Sequence, residues 1–509
     1  MTDIATIPHM ALTGARLWPD AEAIVDGDLR ISFSDLAARM RAAAAAFVAA
    51  GLQPGERVGL WAPNSAQWII ACLGLQAAGG ILVPLNTRFK GPEVHYILER
   101  AKAVMAVSVG DFLGSDYAAD LAGLDLPMMR RIIRLDQWDA FLAGADDAAR
   151  AEADARLAAL KPTDICDIMF TSGTTGNPKG AVADHGRTVA IAHRWPEATS
   201  LGAGDRFLIL WPFFHTSGYK AGWVACLAAG ATILPQASLD MDELLAKVER
   251  EKVTFLPGPP TLFQTLLAIP GFDAKRIASV RVSVTGASAV APSMIEAMRS
   301  TLNIPVVLTG YGLTETCGTA TMTSPDDPPE IVTTSCGRAV AGIEVQVFDD
   351  DNRPLPNGEP GEVVVRGVNV MIGYLDDPVA TAEAIDPQGW LHTGDIGILD
   401  DAGYLRITDR KKDIFIVGGF NCYPAEIENM LMAHPAIQQV AVTGVPDERM
   451  GEVGKAFVVL KAGATLTQDA LVTWSRERMA NFKVPRFVDF VSELPMNATG
   501  KVQKFKLAK

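Results

Sequence analysis

The chain has 509 residues, more than one ordinary hydrophobic core accommodates, so two or more domains are expected. Its composition is that of a globular protein, and the net charge of -14 argues against a nucleic-acid-binding protein, because no basic field would attract phosphate backbones. The six cysteines are scattered without a C-x-x-C pair, which predicts neither a disulfide framework nor a zinc site. Since the N-terminus also lacks the features of a signal peptide, we expect a cytoplasmic protein.

Over most of the chain, helical patterns alternate with short apolar strands. We predict an alanine-rich helix from Ser34 to Ala50, a buried strand from Arg57 to Trp61, a helix from Ala66 to Ala78 and a strand from Ile81 to Pro84. Glycines and Pro84 interrupt the longest apolar stretch, so it does not read as an integral membrane segment. The same rhythm recurs at Phe207–Leu210, Ala231–Leu234, Val253–Leu256, Val280–Val284 and Val306–Leu308. This alternation is typical of α/β layers with largely parallel sheets.

From about Gly342 the pattern becomes β-rich, and a compact α+β unit follows the charged run Asp409–Asp413. In this last unit we predict helices at Pro424–His434 and Thr467–Met479 and strands at Gln438–Gly444, Lys455–Lys461 and Arg486–Val491. The predicted fold class is therefore α/β. Residues 1–409 form a large domain of layered sheets with a β-rich subdomain, residues 410–413 form the boundary, and residues 414–509 form a small α+β domain.

The segment Thr171–Gly180 (TSGTTGNPKG) follows the apolar run Ile165–Phe170, so it leaves the end of a buried strand. Glycines let backbone N–H groups approach phosphate oxygens closely, and hydroxyl groups and an ammonium add donors and positive charge. It is not a Walker A loop, because that pattern needs glycine where Pro178 stands. The alternative is a flexible surface loop, which such a specialised composition behind a buried strand disfavours.

Other motifs follow this loop in order. They are Gly310–Glu315 (GYGLTE), His392–Asp395 (HTGD), Tyr404–Asp413 (YLRITDRKKD), Gly418–Glu428 (GGFNCYPAEIE) and Pro495–Lys501 (PMNATGK). Together the motifs resemble those of the adenylate-forming superfamily, which includes acyl-CoA synthetases, peptide-synthetase adenylation domains and beetle luciferases. The resemblance implies an AMP-forming acyl-CoA ligase. Such an enzyme converts a carboxylic acid and ATP into acyl-AMP and pyrophosphate, and then transfers the acyl group to coenzyme A.

The resemblance implies that residues 1–409 hold ATP and Mg²⁺. Joining a carboxylate to the α-phosphate brings two anions together, so charge neutralisation dominates the chemistry. Lys501 is the candidate that contacts both anions, and Glu315 and Thr174 are the candidate Mg²⁺ ligands. The remaining nucleotide residues are Thr171, Ser172, Gly173, Thr175, Gly176 and Lys179 at the phosphates, Thr314 at the α-phosphate, Tyr311 at the adenine, Asp395 and Arg410 at the ribose, and Gly286, Ala287 and Gly312 elsewhere in the site.

For the second half-reaction, the resemblance makes residues 410–413 a hinge, with Lys412 as its pivot and a mobile C-terminal domain beyond it. Gly418 and Gly419 would let the pantetheine arm of CoA pass close to the backbone. Taken without the resemblance, Lys412 is one more exposed lysine in a charged loop.

The segment Trp211–Trp223 (WPFFHTSGYKAGW) corresponds to one wall of the acyl pocket in the superfamily. It assigns His215 to the carboxylate site and Trp211, Phe213, Phe214 and Tyr219 to the pocket wall, although an aromatic cluster is also typical of core packing. No aspartate occurs in this segment, which argues against an amino-acid substrate. The segment is similar to that of ligases for the bicyclic propanoate of steroid degradation, and a medium-chain fatty acid is the other candidate. Lys220 is expected to be a surface lysine, the alternative being a contact with a distal keto or carboxylate group.

The expected partners are therefore small molecules: a carboxylic acid, ATP and CoA, with no nucleic acid and no membrane segment. A homodimer is a candidate assembly. Two other functions stay open, an enzyme that loads acyl-carrier protein or stops at the acyl-adenylate, and a catalytically silent nucleotide-binding relative. The second of these predicts a damaged site, whereas every motif residue named above is present.

Overall fold

The computed structural model describes residues 6–112, 114–171, 178–285, 292–410, 413, 415–417, 420–422, 424–447, 450–479, 481–496 and 502–507, with the side chains of residues 409, 410, 416, 420, 421 and 505 excepted. In this part of the chain, no helix combines the length and the apolar character needed to cross a membrane.

Residues 6–341 alternate between helices and strands. The strands are β1 Glu22–Asp26, β2 Leu29–Ser32, β3 Arg57–Trp61, β4 Ile81–Pro84, β5 Met105–Ser108, β6 Asp111–Phe112, β7 Ser115–Asp116, β8 Arg131–Arg134, β9 Ile165–Thr171, β10 Lys179–Asp184, β11 Arg206–Ile209, β12 Thr232–Pro235, β13 Val282–Thr285, β14 Val306–Tyr311, β15 Thr321–Met322 and β16 Arg338–Ala339. The helices are α1 Ile7–Leu17, α2 Phe33–Ala49, α3 Ala66–Ala77, α4 Gly91–Arg100, α5 Tyr117–Ala122, α6 Trp138–Ala143, α7 Asp147–Ala159, α8 His185–Thr199, α9 Thr216–Gly218, α10 Ala225–Ala229, α11 Met241–Glu251, α12 Pro260–Ala268, α13 Pro292–Ser300 and α14 Pro329–Thr334.

The two predicted N-terminal helices form where their caps place them. Ser32 and Asp35 make a reciprocal capping box at the start of α2, and Ser65 accepts a hydrogen bond from the Trp68 N–H at the start of α3. Nearly all of α3 is buried, which fits an apolar sequence without an amphipathic period. The apolar stretch that includes α3 and β4 is therefore core, as predicted.

The central sheet has the strand order β19-β10-β9-β4-β3-β5-β8, where β19 belongs to the β-rich region described below. Strands β4, β3, β5 and β8 run parallel, and β9 joins them parallel to β4 through the pair Leu82 and Asp167. Strand β10 then returns antiparallel to β9, with Thr171 opposite Lys179. The two ends of the phosphate-loop motif are thus fixed on neighbouring strands.

A second layer contains the parallel pairs β11–β12 and β13–β14. The predicted strand Val253–Leu256 is wrong as a regular strand, because only Phe255 makes parallel bridges, to Phe207 and Val282. The segment still pairs in part beside β13, where the N–H groups of Leu256 and Gly258 donate to the Val282 and Val284 carbonyl oxygens. Pro257, Pro259 and Pro260 lack the N–H that continuous pairing would need.

The β-rich region contains β17 Ile343–Phe348, β18 Gly361–Gly367, β19 Gly373–Tyr374, α15 Pro378–Ala384, β20 Leu391–Leu399 and β21 Leu405–Arg410. Strands β17, β18, β20 and β21 form an antiparallel sheet in this order, in which Asp395 stands opposite Arg410. Strand β19, which lies between β18 and β20 in the sequence, does not belong to that sheet and pairs with β10 in the central sheet. This pairing brings Tyr374 beside the strand on which Lys179 lies.

The last region contains β22 Phe415–Val417, β23 Phe420–Cys422, α16 Pro424–Met432, β24 Ile437–Asp447, β25 Gly451–Leu460, α17 Gln468–Arg476 and β26 Phe487–Phe490. Its sheet has the order β23-β22-β25-β24, and β26 runs parallel to β25. Its apolar side chains form a separate hydrophobic core that includes Phe415, Ile427, Leu431 and Val458. A separate α+β domain at the C-terminus is therefore present, while the position of the domain boundary at residues 410–413 stays a prediction.

Candidate active site

The described ends of the phosphate loop lie on the β9–β10 hairpin. The Thr171 hydroxyl donates to the Lys179 carbonyl oxygen over 3.4 Å, which closes the hairpin where the loop leaves it. The Lys179 ammonium lies 5.1 Å from the ring centroid of Tyr374, within the range of a cation–π contact. The hairpin therefore carries a positive charge at the far end of the loop.

The predicted magnesium residue, Glu315, lies in the single turn Thr314–Thr316 that follows β14. The Tyr374 hydroxyl donates to Glu315 Oε1 over 2.9 Å, and the Met371 N–H donates to the Glu315 carbonyl oxygen over 2.8 Å. Burial and the negative charge of Glu315 raise the pKa of Tyr374 well above its usual range, so the phenol stays a hydrogen-bond donor. Tyr374 thus connects Lys179 with Glu315.

This arrangement fits a magnesium ion held chiefly by the nucleotide. Within the described ranges, no cluster of three His, Cys, Asp or Glu side chains forms a dedicated metal cage. Mg²⁺ is usually held by one or two carboxylates together with substrate phosphates, so a single oriented Glu315 is sufficient on the protein side. When bound there, the ion would neutralise phosphate charge and assist departure of pyrophosphate.

The predicted adenine and ribose residues lie side by side. The Tyr311 hydroxyl at the end of β14 donates to Asp395 Oδ2 on β20 over 2.6 Å, and Asp395 is only 3% exposed. The Asp395 N–H donates to Thr393 Oγ1 over 3.1 Å, and the Gly394 N–H donates to Glu362 Oε1 over 3.0 Å. These bonds hold the HTGD motif rigidly. Asp395, the predicted ribose residue, therefore lies directly beside Tyr311, the predicted adenine residue.

Gly312 and Thr314 follow β14 directly and are half-buried. They lie between the adenine residue Tyr311 and the magnesium residue Glu315 along the same turn. The structure thus brings the nucleotide predictions on β14, β20 and the β9–β10 hairpin into one region of the fold.

His215 caps the short helix α9 at the start of the acyl segment Trp211–Trp223. Its Nδ1 accepts from the Ser217 N–H over 3.3 Å and lies 2.8 Å from the Ser217 hydroxyl. Burial lowers the pKa of His215 to about 4, so the ring is neutral at neutral pH. Because Nδ1 is an acceptor, the neutral ring carries its proton on Nε2, which can donate to a carboxylate oxygen.

The turn of this segment is tight at Gly218. A Cβ atom at this position would lie 2.3 Å from the carbonyl oxygens of both Trp211 and Pro212, closer than any side chain can approach. The chain therefore folds back on itself directly after His215.

The predicted pocket aromatics divide into two groups. Phe213 and Tyr219 are fully buried and pack on Trp68 of α3, with ring centroids 5.4 and 6.1 Å away. Both belong to the main hydrophobic core. Trp211 and Phe214 are half-buried, and these two stay predictions for the pocket wall.

The expectation that Lys220 is a surface lysine is wrong. Its side chain is 1% exposed, and its ammonium lies 3.0 Å from Asp167 Oδ1, a carboxylate equally buried on β9. Burial alone would lower the pKa of Lys220, but the negative charge of Asp167 outweighs this and holds the pKa above its usual value. The group is therefore a buried, charged partner of Asp167.

Asn64 is a further residue of this region that the sequence did not single out for the site. Its Nδ2 donates to the carbonyl oxygens of Ile209 and Trp211 over 3.2 and 2.9 Å, and its Oδ1 accepts from the Phe213 N–H over 2.8 Å. Its neighbour Ser65 caps α3, whereas Asn64 fixes the entry of the acyl segment.

Comparison with known proteins matches the chain to one enzyme family. The AMP-binding enzyme model matches residues 13–375, and the model of the AMP-binding enzyme C-terminal domain matches residues 426–501. The chain belongs to the AMP-binding enzyme family.

Relatives of this AMP-binding enzyme match along nearly its whole length. It is 48% identical to a ligase of Rhodococcus jostii named for a 7a-methyl-1,5-dioxo-octahydro-indenyl propanoyl group, over 98% of this chain and 97% of that one. The Mycobacterium tuberculosis ligase of the same name is 45% identical, over 100% of this chain and 99% of that one. Among solved structures, an anthranilate CoA ligase in complex with anthranoyl-AMP superposes with a TM-score of 0.86 at 27% identity, covering 99% of this chain and 96% of the other.

The predicted superfamily, fold class and enzyme class are thereby confirmed: this AMP-binding enzyme is an AMP-forming acyl-CoA synthetase that uses ATP, Mg²⁺ and CoA. Several predicted site residues lie outside the described residues and stay predictions. They are Ser172, Gly173, Thr174, Thr175, Gly176, Gly286, Ala287, Lys412, Gly418, Gly419 and Lys501, together with the side chain of Arg410. The predicted homodimer also stays a prediction.

Proposed function

We propose that this protein activates a bicyclic, keto-substituted propanoate as its acyl-adenylate and transfers the acyl group to CoA. The observation that carries the proposal is the 48% identity over 98% of the chain with a ligase named for such an acid. The acyl segment lies inside this match and contains no aspartate or glutamate from Trp211 to Trp223. An apolar ring system therefore suits it better than the ammonium group of an amino acid.

In the first half-reaction, a carboxylate oxygen forms a bond to the α-phosphorus while the bond from this phosphorus to pyrophosphate breaks. Tyr311 and Asp395 orient the nucleoside, and Lys179 and Glu315 act on the phosphate side. We assign to the Nε2–H of His215 a hydrogen bond to the carboxylate, which adds no charge. This division suits a reaction in which orientation and charge neutralisation carry most of the catalysis.

In the second half-reaction, the CoA sulfur attacks the acyl carbon and AMP leaves with the electron pair of the mixed anhydride bond. We assign the pantetheine passage to Gly418 and Gly419. We assign to Lys412 the pivot of the domain movement that exposes this passage. The resemblance of the hinge and glycine motifs supports this assignment. The proposal includes a cytoplasmic location, which six free cysteines favour.

The test is pyrophosphate release over a panel of acids: the bicyclic diketo propanoate, the same ring propanoate without ketones, octanoate, acetate and phenylalanine. We expect the diketo acid to exceed octanoate in kcat/KM by about tenfold or more, because the contacts of one or two substrate groups with a pocket give discrimination of this size. Acetate or phenylalanine as the best substrate would contradict the pocket interpretation, and octanoate as the best would make the enzyme a medium-chain ligase.

The acceptor is tested separately. Thioester formation is followed with CoA and with a phosphopantetheinylated carrier protein, starting from synthetic acyl-adenylate. We expect CoA to react and the carrier protein to be inactive. The reverse result, or no transfer to either acceptor, would favour the carrier-loading or adenylate-forming alternative. Sedimentation of the purified protein would measure whether it is the predicted homodimer.

A further inference from the structure

A buried ion pair lies beneath the acyl segment and is not part of the nucleotide site. The Lys220 ammonium and Asp167 Oδ1 are 3.0 Å apart, and both side chains are 1% exposed. The ammonium also lies 3.7 Å from the Cys317 sulfur and 5.9 Å from the ring centroid of Tyr219. The pair is thus enclosed by side chains from the core of the large domain.

The three polar groups come from three segments that carry the chemistry. Asp167 lies on β9 shortly before Thr171, where the phosphate loop begins. Lys220 follows α9 in the acyl segment, and Cys317 lies two residues after Glu315, at the end of its turn. One ammonium therefore contacts the strand of the phosphate loop and the turn of the magnesium residue, while its own backbone belongs to the acyl segment.

A second contact joins two of these segments. Gly318 has a φ of +90°, and a Cβ atom there would lie 2.7 Å from the Cβ of Thr216 in the acyl segment. Only glycine fits this left-handed, closely packed position. The Thr216 side chain of the acyl segment therefore packs directly on the backbone of the turn after Glu315, and Lys220 contacts Cys317 beside this point.

The backbone around the pair is unusual on both sides. Tyr219–Val224 forms a π-helical turn, which is rare in proteins and frequent at functional sites. Cys317 has a φ of 51°, a left-handed conformation that a non-glycine residue adopts only where its surroundings hold it. Such conformations are retained where the position of a segment matters more than its local energy.

Stability alone is a weak explanation for a buried ion pair. Removing two charges from water costs much of what their attraction returns, and apolar residues of similar volume often replace such pairs without loss of stability. An apolar pair does not fix the relative position of two segments, because apolar side chains can shift against one another at little cost. Separating two buried charges, in contrast, is costly.

We propose that Asp167 and Lys220 are positioning residues, which fix the acyl segment relative to the phosphate-loop strand and so align the carboxylate with the α-phosphate. This inference rests on the proposed adenylation of a carboxylic acid. Neither residue contacts the reacting atoms, since both side chains are enclosed in the core. The pair acts through two other residues. His215 lies in the acyl segment with Lys220, and Thr171 lies on β9 with Asp167, so fixing the two segments fixes these two residues relative to each other.

The test replaces both charges with apolar groups of similar volume, in the double variant Asp167→Leu with Lys220→Met. We expect it to melt within a few degrees of the wild-type enzyme, because no unpaired charge is left in the core. We expect the kcat of pyrophosphate release to fall at least ~10-fold, because small misplacements of reacting groups are costly. The KM for the acid should rise, whereas the KM for ATP should change little, since Tyr311 and Asp395 are untouched.

A matched control is the double variant Asp205→Leu with Arg281→Met, which removes an ion pair on the other layer of the large domain. It should alter the melting temperature and leave kcat and both KM values unchanged. Wild-type kcat and KM values in the Asp167/Lys220 double variant would overturn the proposal and make the pair purely structural.

If this double variant does not fold, Asp167→Asn with Lys220→Met replaces it, because it keeps the volume and an amide at position 167 and still leaves no unpaired charge in the core. The same pattern at a smaller size is expected, and unchanged kinetics in this second double variant would likewise overturn the proposal. All variants are assayed with the acid that has the highest kcat/KM for the wild-type enzyme. The identity of that acid tests the proposed function, and the ratio of variant to wild type tests the positioning role.

Discussion

Tyr374→Phe removes a single hydroxyl from the candidate site and leaves the ring on which Lys179 lies. The lost interaction is the hydrogen bond from the phenol to Glu315 Oε1, which measures 2.9 Å. Hydrogen bonds to charged groups contribute about 1.5–3 kcal/mol, and the half-buried position of Tyr374 favours the lower end of this range. A loss of about 1.5 kcal/mol corresponds to roughly tenfold in a rate or binding constant.

We expect this loss in the adenylation step, because Glu315 without its orienting donor holds Mg²⁺ and the phosphates less well. The kcat/KM for ATP in pyrophosphate release should therefore fall about tenfold, and the Mg²⁺ concentration required for half-maximal rate should rise. Transfer from synthetic acyl-adenylate to CoA needs no triphosphate, so its rate should stay close to that of the wild-type enzyme.

The matched control is Tyr117→Phe, which also removes one phenol hydroxyl. This hydroxyl donates to the Thr87 carbonyl oxygen over 2.6 Å, and neither residue belongs to a motif. It should affect the melting temperature and not the Mg²⁺ dependence. The reasoning is refuted if Tyr374→Phe leaves the Mg²⁺ and ATP dependence unchanged, or if it slows thioester formation as much as pyrophosphate release.

Three further predictions follow from the motifs and from burial. Lys501→Ala should reduce pyrophosphate release at least ~10²-fold, yet still allow pre-formed acyl-adenylate to react with CoA; near-normal release would remove Lys501 from its assigned role. Lys412→Pro should spare pyrophosphate release in a single turnover and slow thioester formation by orders of magnitude, whereas equal losses would indicate general damage. Burial lowers the pKa of His185 to about 3. Below pH ~6.5 the His185 imidazole therefore binds a proton in the unfolded chain but not in the native state. The free energy of unfolding should fall by about 2 kcal/mol between pH 7 and 5. His185→Asn, which keeps an acceptor for the Ile7 N–H, should show a smaller loss in urea unfolding, and equal losses in both proteins would contradict the assignment.

Local pattern predicted most of the secondary structure because each element carries its own signals. Helix α3 has a capping serine and a continuous apolar run, and β14 begins with the apolar run Val306–Leu308, so both were predicted within a few residues. The error at Val253–Leu256 has the opposite origin. The segment is apolar because it is buried, but burial does not require a regular strand, and the prolines that follow leave only bridges at Phe255 and the backbone hydrogen bonds that Leu256 and Gly258 donate to β13.

The site was predictable only where a motif names the residue. Glu315, Tyr311 and Asp395 belong to motifs, but Tyr374, the partner of Glu315, does not. Its place is decided by which strands become neighbours, because β19 pairs with β10. Lys220 shows why the remainder was missed. A lysine between apolar residues is usually exposed, and the fold reverses this by placing Asp167 from a distant strand beside it.

The pairing of Lys220 also narrows the choice of the cation that bridges the carboxylate and the α-phosphate. Its charge is already matched by Asp167 in the core, so it is not available to a substrate. Lys179 lies at the far end of the phosphate loop beside β19, where the predicted β- and γ-phosphates are. Neither of these two lysines suits the bridging role, and Lys501 in the C-terminal domain stays the prediction for it, as the motif implies. A charge that arrives on a separate domain can also leave with it. Adenylation and thioester formation can then share one pocket, and a rigid pivot at Lys412 should separate the two.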